Sequence, residues 1–255
     1  MKADIFLSIR NKATRLPGKV LLQLKGKTLT EHLIDRLKNA KTISQIILCT
    51  STNPSDDVLV EIAKNNNIEF FRGSEDDKLD RYMNASKKFS TDFIVVVDGD
   101  DIFCDPIFID ECVIEFKQTQ ADYITVKDLP VGITPFCIKK EALERVCKLK
   151  NEINTEVWGS YFTNTNLFNT VFIKVLNSKL RRPDIRLTLD YKEDFILIEK
   201  IFDKLYSPEK IISLEEIVNF LNNNPTLLKI NQSVHELYLR NLEKAPAATL
   251  RTDNV

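Results

Sequence analysis

Histidine is almost missing from this chain: only His32 and His235 occur in 255 residues, so chemistry run by imidazole bases is poorly supplied. His32 falls inside an amphipathic helical pattern, where a surface or hydrogen-bonded structural histidine is the ordinary reading. Glycine is scarce too, with six residues, and neither GxGxxG nor the GxxxxGKS/T phosphate loop occurs. The five cysteines (Cys49, Cys104, Cys112, Cys137, Cys147) are odd in number and form no CxxC pair. That argues against a disulfide framework or a structural zinc site and fits a reducing, cytoplasmic compartment. No apolar run approaches the roughly 20 residues of a spanning helix, so membrane insertion is not expected. The opening MKADIF has no apolar signal-peptide region, so no secretory leader is expected. Charge of one sign is missing as well: 36 Lys and Arg stand against 37 Asp and Glu. No bulk field favours nucleic acid or a membrane surface, and any anion site has to be local.

What is present is an alternation of short apolar runs with helical patterns. IFLSI (5–9) precedes a helix near 29–39, QIILCT (45–50) precedes 56–66, IEFFRG (68–73) precedes 77–89, and DFIVVVDGD (92–100) precedes 107–119. Four strand–helix units with continuously apolar strands predict a mostly parallel, doubly wound α/β sheet covered on both faces. Ligands of such a sheet gather beyond the carboxyl ends of its strands. The pattern loosens over 122–180, which reads as a small excursion. It returns with IRLTLD (185–190), a helix over 192–205, and two more helices, SLEEIVNFLNNN and QSVHELYLRNLEKA. With no repeat and no linker, residues 1–245 read as one domain and 246–255 as a frayed tail.

Three stretches could carry chemistry. The first is RNKATRLPGK (10–19), where four cations follow a predicted buried strand. Pro17 and Gly18 mark a turn whose backbone can approach a ligand, and Arg15 with Lys19 could grip a polyphosphate at two places. A solvated basic turn is the competing reading. The second is VVVDGDDIFCDP, with Asp98, Asp100, Asp101 and Asp105 at the end of the most apolar strand, a setting that suits Mg²⁺ and its preference for oxygen ligands. Asp98 and Asp100 share a face if the strand runs that far. A polar turn leading to a helix capped by Asp105 and Pro106 is the alternative. The third is IRLTLDYKEDF, where a strand would place Arg186, Thr188 and Asp190 on one face, as an ion pair or as a metal ligand beside a phosphate contact.

Together with GKTLTEHLIDRLKNAK, ILCTSTNPSDD and FRGSEDDKLDRY, these stretches resemble, in order and spacing, the cytidylyltransferase family. That family includes the CMP-Kdo and CMP-sialic acid synthetases and spore-coat proteins of the SpsF type, and the likeness spans roughly 3–120 and 184–230. The resemblance implies that Arg10, Arg15 and Lys19 hold the triphosphate of CTP, and that Asp100 and Asp190 bind Mg²⁺. It implies further that Thr50, Ser51, Ser74 and Arg81 read the base and ribose. A small anionic acceptor, an acidic sugar or a sugar or polyol phosphate or phosphonate, would then be coupled to CMP with release of pyrophosphate, for a surface glycan or polar lipid. Arg186, Arg182, Trp158 and Tyr161 are candidates for the acceptor pocket, although plain core packing is the commoner fate of such aromatics. Homodimers are usual in the family. The chain departs from the pattern at Lys12 and Ala13, where Gly-Ser or Ala-Ser is common, and at Ile102, where a proline usually follows closely. Another nucleotide (UTP or GTP), or a non-catalytic nucleotide-binding module on the same fold, are the alternatives.

Overall fold

The computed structural model describes residues 1–13, 15–243, 250 and 251. Its strands are β1 (Ala3–Ser8), the short hairpin β2 (Gln23–Leu24) and β3 (Lys27–Thr28), β4 (Gln45–Ser51), β5 (Glu69–Gly73), β6 (Phe93–Asp98), β7 (Tyr123–Lys127), β8 (Phe136–Lys139) and β9 (Thr170–Lys174). Its helices are α1 (Leu29–Leu37), α2 (Asp57–Asn65), α3 (Lys78–Phe89), α4 (Pro106–Thr119), α5 (Lys140–Leu149), α6 (Ser160–Thr163), α7 (Lys192–Leu205), α8 (Leu214–Asn223) and α9 (Gln232–Glu243). The apolar runs over 5–9, 45–50, 68–73 and 92–100 thus become β1, β4, β5 and β6, each followed by a helix.

Helix starts follow local chemistry. Thr28 with Glu31, and Ser213 with Glu216, form reciprocal capping boxes for α1 and α8. Asp77 accepts from the backbone N–H of Asp80 at the start of α3. Asp105 caps α4 by accepting from Ile107, with Pro106 in the first turn, where its missing N–H costs nothing.

Seven strands make one sheet in the order β5-β4-β1-β6-β8-β7-β9. Only β8 among them runs against the others, pairing antiparallel with both β6 and β7. The loose region 122–180 is therefore no excursion from the sheet: it supplies β7, β8 and β9. Its strands are short and interrupted by turns, which hid their period. Alternate residues of β1 face opposite layers. Ile5 and Leu7 pack with α1, α2, α4, α7 and α8, whereas Phe6 packs with α3, α5 and Trp158. Both faces of the sheet are thus buried, as parallel strands require.

Residues 185–190 form no strand, bending at Thr188 and Asp190 and contributing a single bridge between Val131 and Arg186. The segment is held instead by Leu187 N–H donating to Val131 O at 2.7 Å and Leu189 N–H donating to Asp100 O at 2.9 Å. Of the tail 246–255, Leu250 pairs with Lys150, and Arg251 N–H donates to Leu149 O at 2.9 Å. The rest of that tail lies outside the described residues. No helix among the described residues is long and apolar enough to cross a membrane.

Candidate active site

From β1 the chain crosses to β4 and β5 on one side, and then returns to β6 on the other. The ends of β1 and β6 therefore border the point where the winding reverses, the place where an open parallel sheet leaves a crevice. A cleft of about 370 Å³ opens there, lined by residues that follow both strands. Ser8 and Asp98 are register partners at its floor. Beyond Asp98 the chain turns at once. A Cβ on Gly99 would lie 2.6 Å from the Ile9 side chain, so only glycine lets the two strand ends pass each other. Because β6 stops at Asp98, Asp98 and Asp100 do not share a strand face as expected: Asp98 turns to Lys78, and Asp100 turns to Lys19.

Lys19 is the hub of one side. Gly18 before it has φ 69°, a left-handed conformation that favours glycine, and it starts the short turn that aims Lys19 inward. The Lys19 ammonium donates to Asp100 Oδ2 at 2.8 Å, Asp190 Oδ1 at 3.0 Å and Leu189 O at 2.7 Å. Burial works against its charge, but the two carboxylates outweigh burial and raise its pKa. Arg15 reaches the same Asp190 Oδ1 at 3.1 Å and lies over the Tyr191 ring, 5.0 Å from its centroid. Burial raises the pKa of Asp100. That of Asp190 falls, because Lys19, Arg15 and Arg186 together overcome its burial.

Asp100 and Asp190 converge on one ammonium from opposite segments, and their oxygens suit a hard cation. No cluster of three or more His, Cys, Asp or Glu side chains placed to hold a metal occurs among the described residues. The donor set therefore fits an ion that keeps several waters and takes its remaining ligands from phosphate, not one held in an all-protein cage.

The other candidates fall less simply. Arg10 lines the cleft, with its guanidinium on Glu156 and the Glu75 carbonyl. Thr50 and Ser51 are buried and both hydroxyls donate to Asp56 Oδ2, so they are committed within the protein and not turned toward a ligand. Asp56 Oδ1 in turn accepts from Asn11 N–H at 2.7 Å, which ties the basic loop to β4. Ser74 Oγ accepts from Asp77 N–H, and Ser74 O accepts from Arg81. The Arg81 side chain is 0% exposed, and its Nε and Nη2 have no hydrogen-bond partner among the described residues.

The acceptor candidates stay out of the cleft lining. Trp158 and Tyr161 are buried, Trp158 edge-on to Tyr82, Tyr123, Phe136 and Phe162, because the apolar segment carrying them closes the second core. Arg182 pairs with Asp184 and Asn222 at the surface. Arg186 is 2% exposed and bound to Asp194 and Asp190, which makes it a support for Asp190 and not a hand extended to substrate. His32 is satisfied structurally, with Nε2 2.8 Å from Leu24 O.

Sequence reasoning did not single out Lys78, Glu156 or Asp56. Lys78 and Asp56 sit in the quoted stretches FRGSEDDKLDRY and TSTNPSDD, and a cation or carboxylate at the mouth of a strand–helix turn was the available signal. Glu156 lies in irregular chain and gave none.

Hydrogen bonds from Ser51, Asn11 and Thr50 overcome burial and lower the pKa of Asp56. A depressed carboxylate stabilises the fold above its unfolded pKa, and that contribution fades as pH falls through its folded value. Asp56→Asn should therefore cost about 1–3 kcal/mol at pH 7. The gap to the parent protein should close as the pH drops below about 4. Urea unfolding at several pH values checks it, and a gap that stays constant down to acid pH would disprove the charge's role.

A crevice at the sheet's switch point, lined by cations and by the carboxylates of Asp100 and Asp190, fits a nucleotidyltransferase. More particularly, residues 6–232 match the model of the cytidylyltransferase family, and the chain belongs to that family. It is similar to an uncharacterized protein of Methanocaldococcus jannaschii, 33% identical over 96% of this chain and 100% of that one. It is also similar to the spore coat polysaccharide biosynthesis protein SpsF of Bacillus subtilis, 27% identical over 86% of this chain and 93% of that one. Among solved structures, a cytidylyltransferase from Leptospira borgpetersenii superposes with a TM-score of 0.82 at 27% identity, covering 89% of this chain and 97% of that one. A CMP:2-keto-3-deoxy-manno-octonic acid synthetase complexed with CTP shares the fold, with a TM-score of 0.62 at 12% identity over 80% and 99% of the two chains.

Proposed function

We propose that the protein, as one domain over 1–245, couples CMP from CTP to a small anionic acceptor and releases pyrophosphate, in a Mg²⁺-dependent reaction. The observation that carries this reading is the Lys19 ammonium held between Asp100 and Asp190, with Arg15 on the same carboxylate, at the carboxyl ends of β1 and β6. The products would serve a surface glycan or polar lipid, in line with the spore coat polysaccharide biosynthesis of the Bacillus relative.

Transfer of this kind asks a protein mainly for positioning and charge neutralisation. An acceptor oxygen attacks the α-phosphorus, the bond to the β-phosphate oxygen breaks, and the electron pair leaves with pyrophosphate. Arg10, Lys12, Arg15, Lys19 and Lys78 line the cleft and would draw the polyphosphate in. Arg15 and Lys19 would then steady the charge that accumulates on the leaving group. Mg²⁺ held by Asp100 and Asp190 would supply Lewis-acid polarisation at the phosphoryl oxygens. An acceptor phosphate or phosphonate arrives ionised and needs no base, which suits a cleft whose described lining holds no histidine. An acidic sugar attacking through a hydroxyl would have to pass its proton to a carboxylate of the cleft or lose it to solvent through the metal.

Thermal shift tests the reading. A nucleotide at 100 times its Kd stabilises by about 2.7 kcal/mol, which is roughly 5–10 °C for a chain of this size. That shift is expected with CTP and Mg²⁺, and not with UTP, GTP or ATP. Equal shifts with all four would overturn the choice of base, and no shift with any would overturn the nucleotide reading itself. We further read the chain as a cytoplasmic homodimer. Supporting this are the five free cysteines and the open edge of β9, where Phe172 and Leu176 are exposed beside Ile107 and Ile114 of α4. Sedimentation velocity showing only monomer at micromolar concentration would exclude the dimer.

A further inference from the structure

Glu156 is an anion that the protein places in its own cleft. Its Oε2 accepts from Arg10 Nη2 at 2.6 Å, and its Oε1 lies 3.2 Å from the Lys78 ammonium. Lys78 is 7% exposed, and its other partner is Asp98 Oδ1 at 3.0 Å. One carboxylate thus bridges two cations, as two oxygens of a phosphate would.

The backbone beneath Glu156 is fixed on both sides. Thr155 is buried, with its hydroxyl donating to Asp77 Oδ1 at 2.9 Å and accepting from Leu79 N–H at 3.1 Å. Trp158 is buried among aromatic rings. The Glu156 side chain itself is half exposed, so its carboxylate borders solvent.

We propose that Arg10 and Lys78 form a phosphate subsite for the nucleotide, that Glu156 holds this subsite in the free protein, and that a phosphate displaces the Glu156 carboxylate on binding. The proposal rests on the nucleotide-transfer reading of the same cleft. Without Glu156 the five lining cations would face Asp98, Asp100 and Asp190 across the cleft, with Glu75 on Lys12 at its rim. Glu156 therefore offsets repulsion among cations in the free protein and competes with any incoming oxyanion. Its removal has two effects of opposite sign: the free protein melts lower, and anions bind tighter. A purely structural carboxylate would produce only the first.

The test is calorimetry on Glu156→Gln and Glu156→Ala with CTP and, separately, with inorganic pyrophosphate. Two partly exposed ion pairs are weak competitors, so about three- to tenfold tighter binding of both probes is expected. Glu152→Gln makes the same charge change on an exposed side chain of the same segment and should leave both affinities unchanged. Unchanged or weaker binding in both Glu156 variants, or equal tightening in Glu152→Gln, would overturn the proposal. Pyrophosphate tightening in a protein that ignores CTP would uphold the phosphate subsite and overturn the nucleotide reading.

Discussion

Asp100→Asn is expected to lower turnover by about 10²–10³-fold, the loss seen when one preorganised charge partner of a transition state is removed, without lowering the melting temperature. The two halves of this expectation have separate causes. The side chain meets Lys19 and faces Asp98 and Asp190, and burial among those like charges raises its pKa. Its ionised form is therefore held at a cost to the fold, and a neutral amide of the same shape relieves that cost. The structural contacts of residue 100 belong to its backbone, whose carbonyl accepts from Leu189 N–H, and the substitution leaves that contact in place. Lys19 keeps Asp190 and the Leu189 carbonyl. What disappears is one of the two oxygen donors proposed for the divalent cation. Pyrophosphate release, with an acceptor found by screening, measures the first half, and a melting curve measures the second. The Mg²⁺-dependent part of the CTP thermal shift should vanish in the same variant, a readout that needs no acceptor. Turnover within a few-fold of the parent would remove Asp100 from the chemistry. Lost turnover with a collapsed melting temperature would show only misfolding.

Much of this arrangement was legible in the residues because local patterns and global fold agree. Continuous apolar runs of Ile, Val and Phe mark β1, β4 and β6. Capping residues at Thr28, Asp105 and Ser213 fix where the helices begin. The functional stretches fall at strand ends because the winding of the sheet puts them there. Side-chain partnership was not legible. Thr50 and Ser51 read as free hydroxyls until Asp56, six and five residues on, is seen to take both. Arg186 reads either as an ion-pair partner of Asp190 or as a contact to a ligand; the pair is there, and the unforeseen partner is the buried Asp194, eight residues on. In each case a polar side chain in a motif was bound by a neighbour a few residues away. Sequence shows that such a neighbour exists, but not that the chain bends back to meet it. Glu156 is the extreme case: it is 146 residues from Arg10, and only the fold brings them together.

Arg186 carries the other large expected effect. Its Nε and Nη2 meet the two oxygens of Asp194 at 2.9 and 3.1 Å, and Nη2 also meets Asp190 Oδ2 at 2.9 Å. The guanidinium lies 5.1 Å from the centroid of the Tyr238 ring, and Asn231 donates to Asp194 Oδ1. Asp194 Oδ2 accepts the backbone N–H groups of Asp190 and Tyr191, so one buried carboxylate shapes the turn that presents Asp190. Arg186→Met leaves Asp194 buried without its counter-charge, which costs about 3–5 kcal/mol. For a chain of this length that is roughly 10 °C in melting temperature. It also frees Asp190 Oδ2 while Lys19 and Arg15 still pull on Oδ1, so the carboxylate loses its fixed orientation and turnover falls. Adding Asp194→Asn separates the two effects. With the stranded charge removed, part of the lost stability should return, because an amide oxygen still accepts the two N–H groups. Turnover should not return, because nothing replaces the guanidinium on Asp190. Recovery of both in the double variant would mean that Arg186 matters only as a counter-charge for Asp194, and that Asp190 is oriented by Lys19 and Arg15 alone.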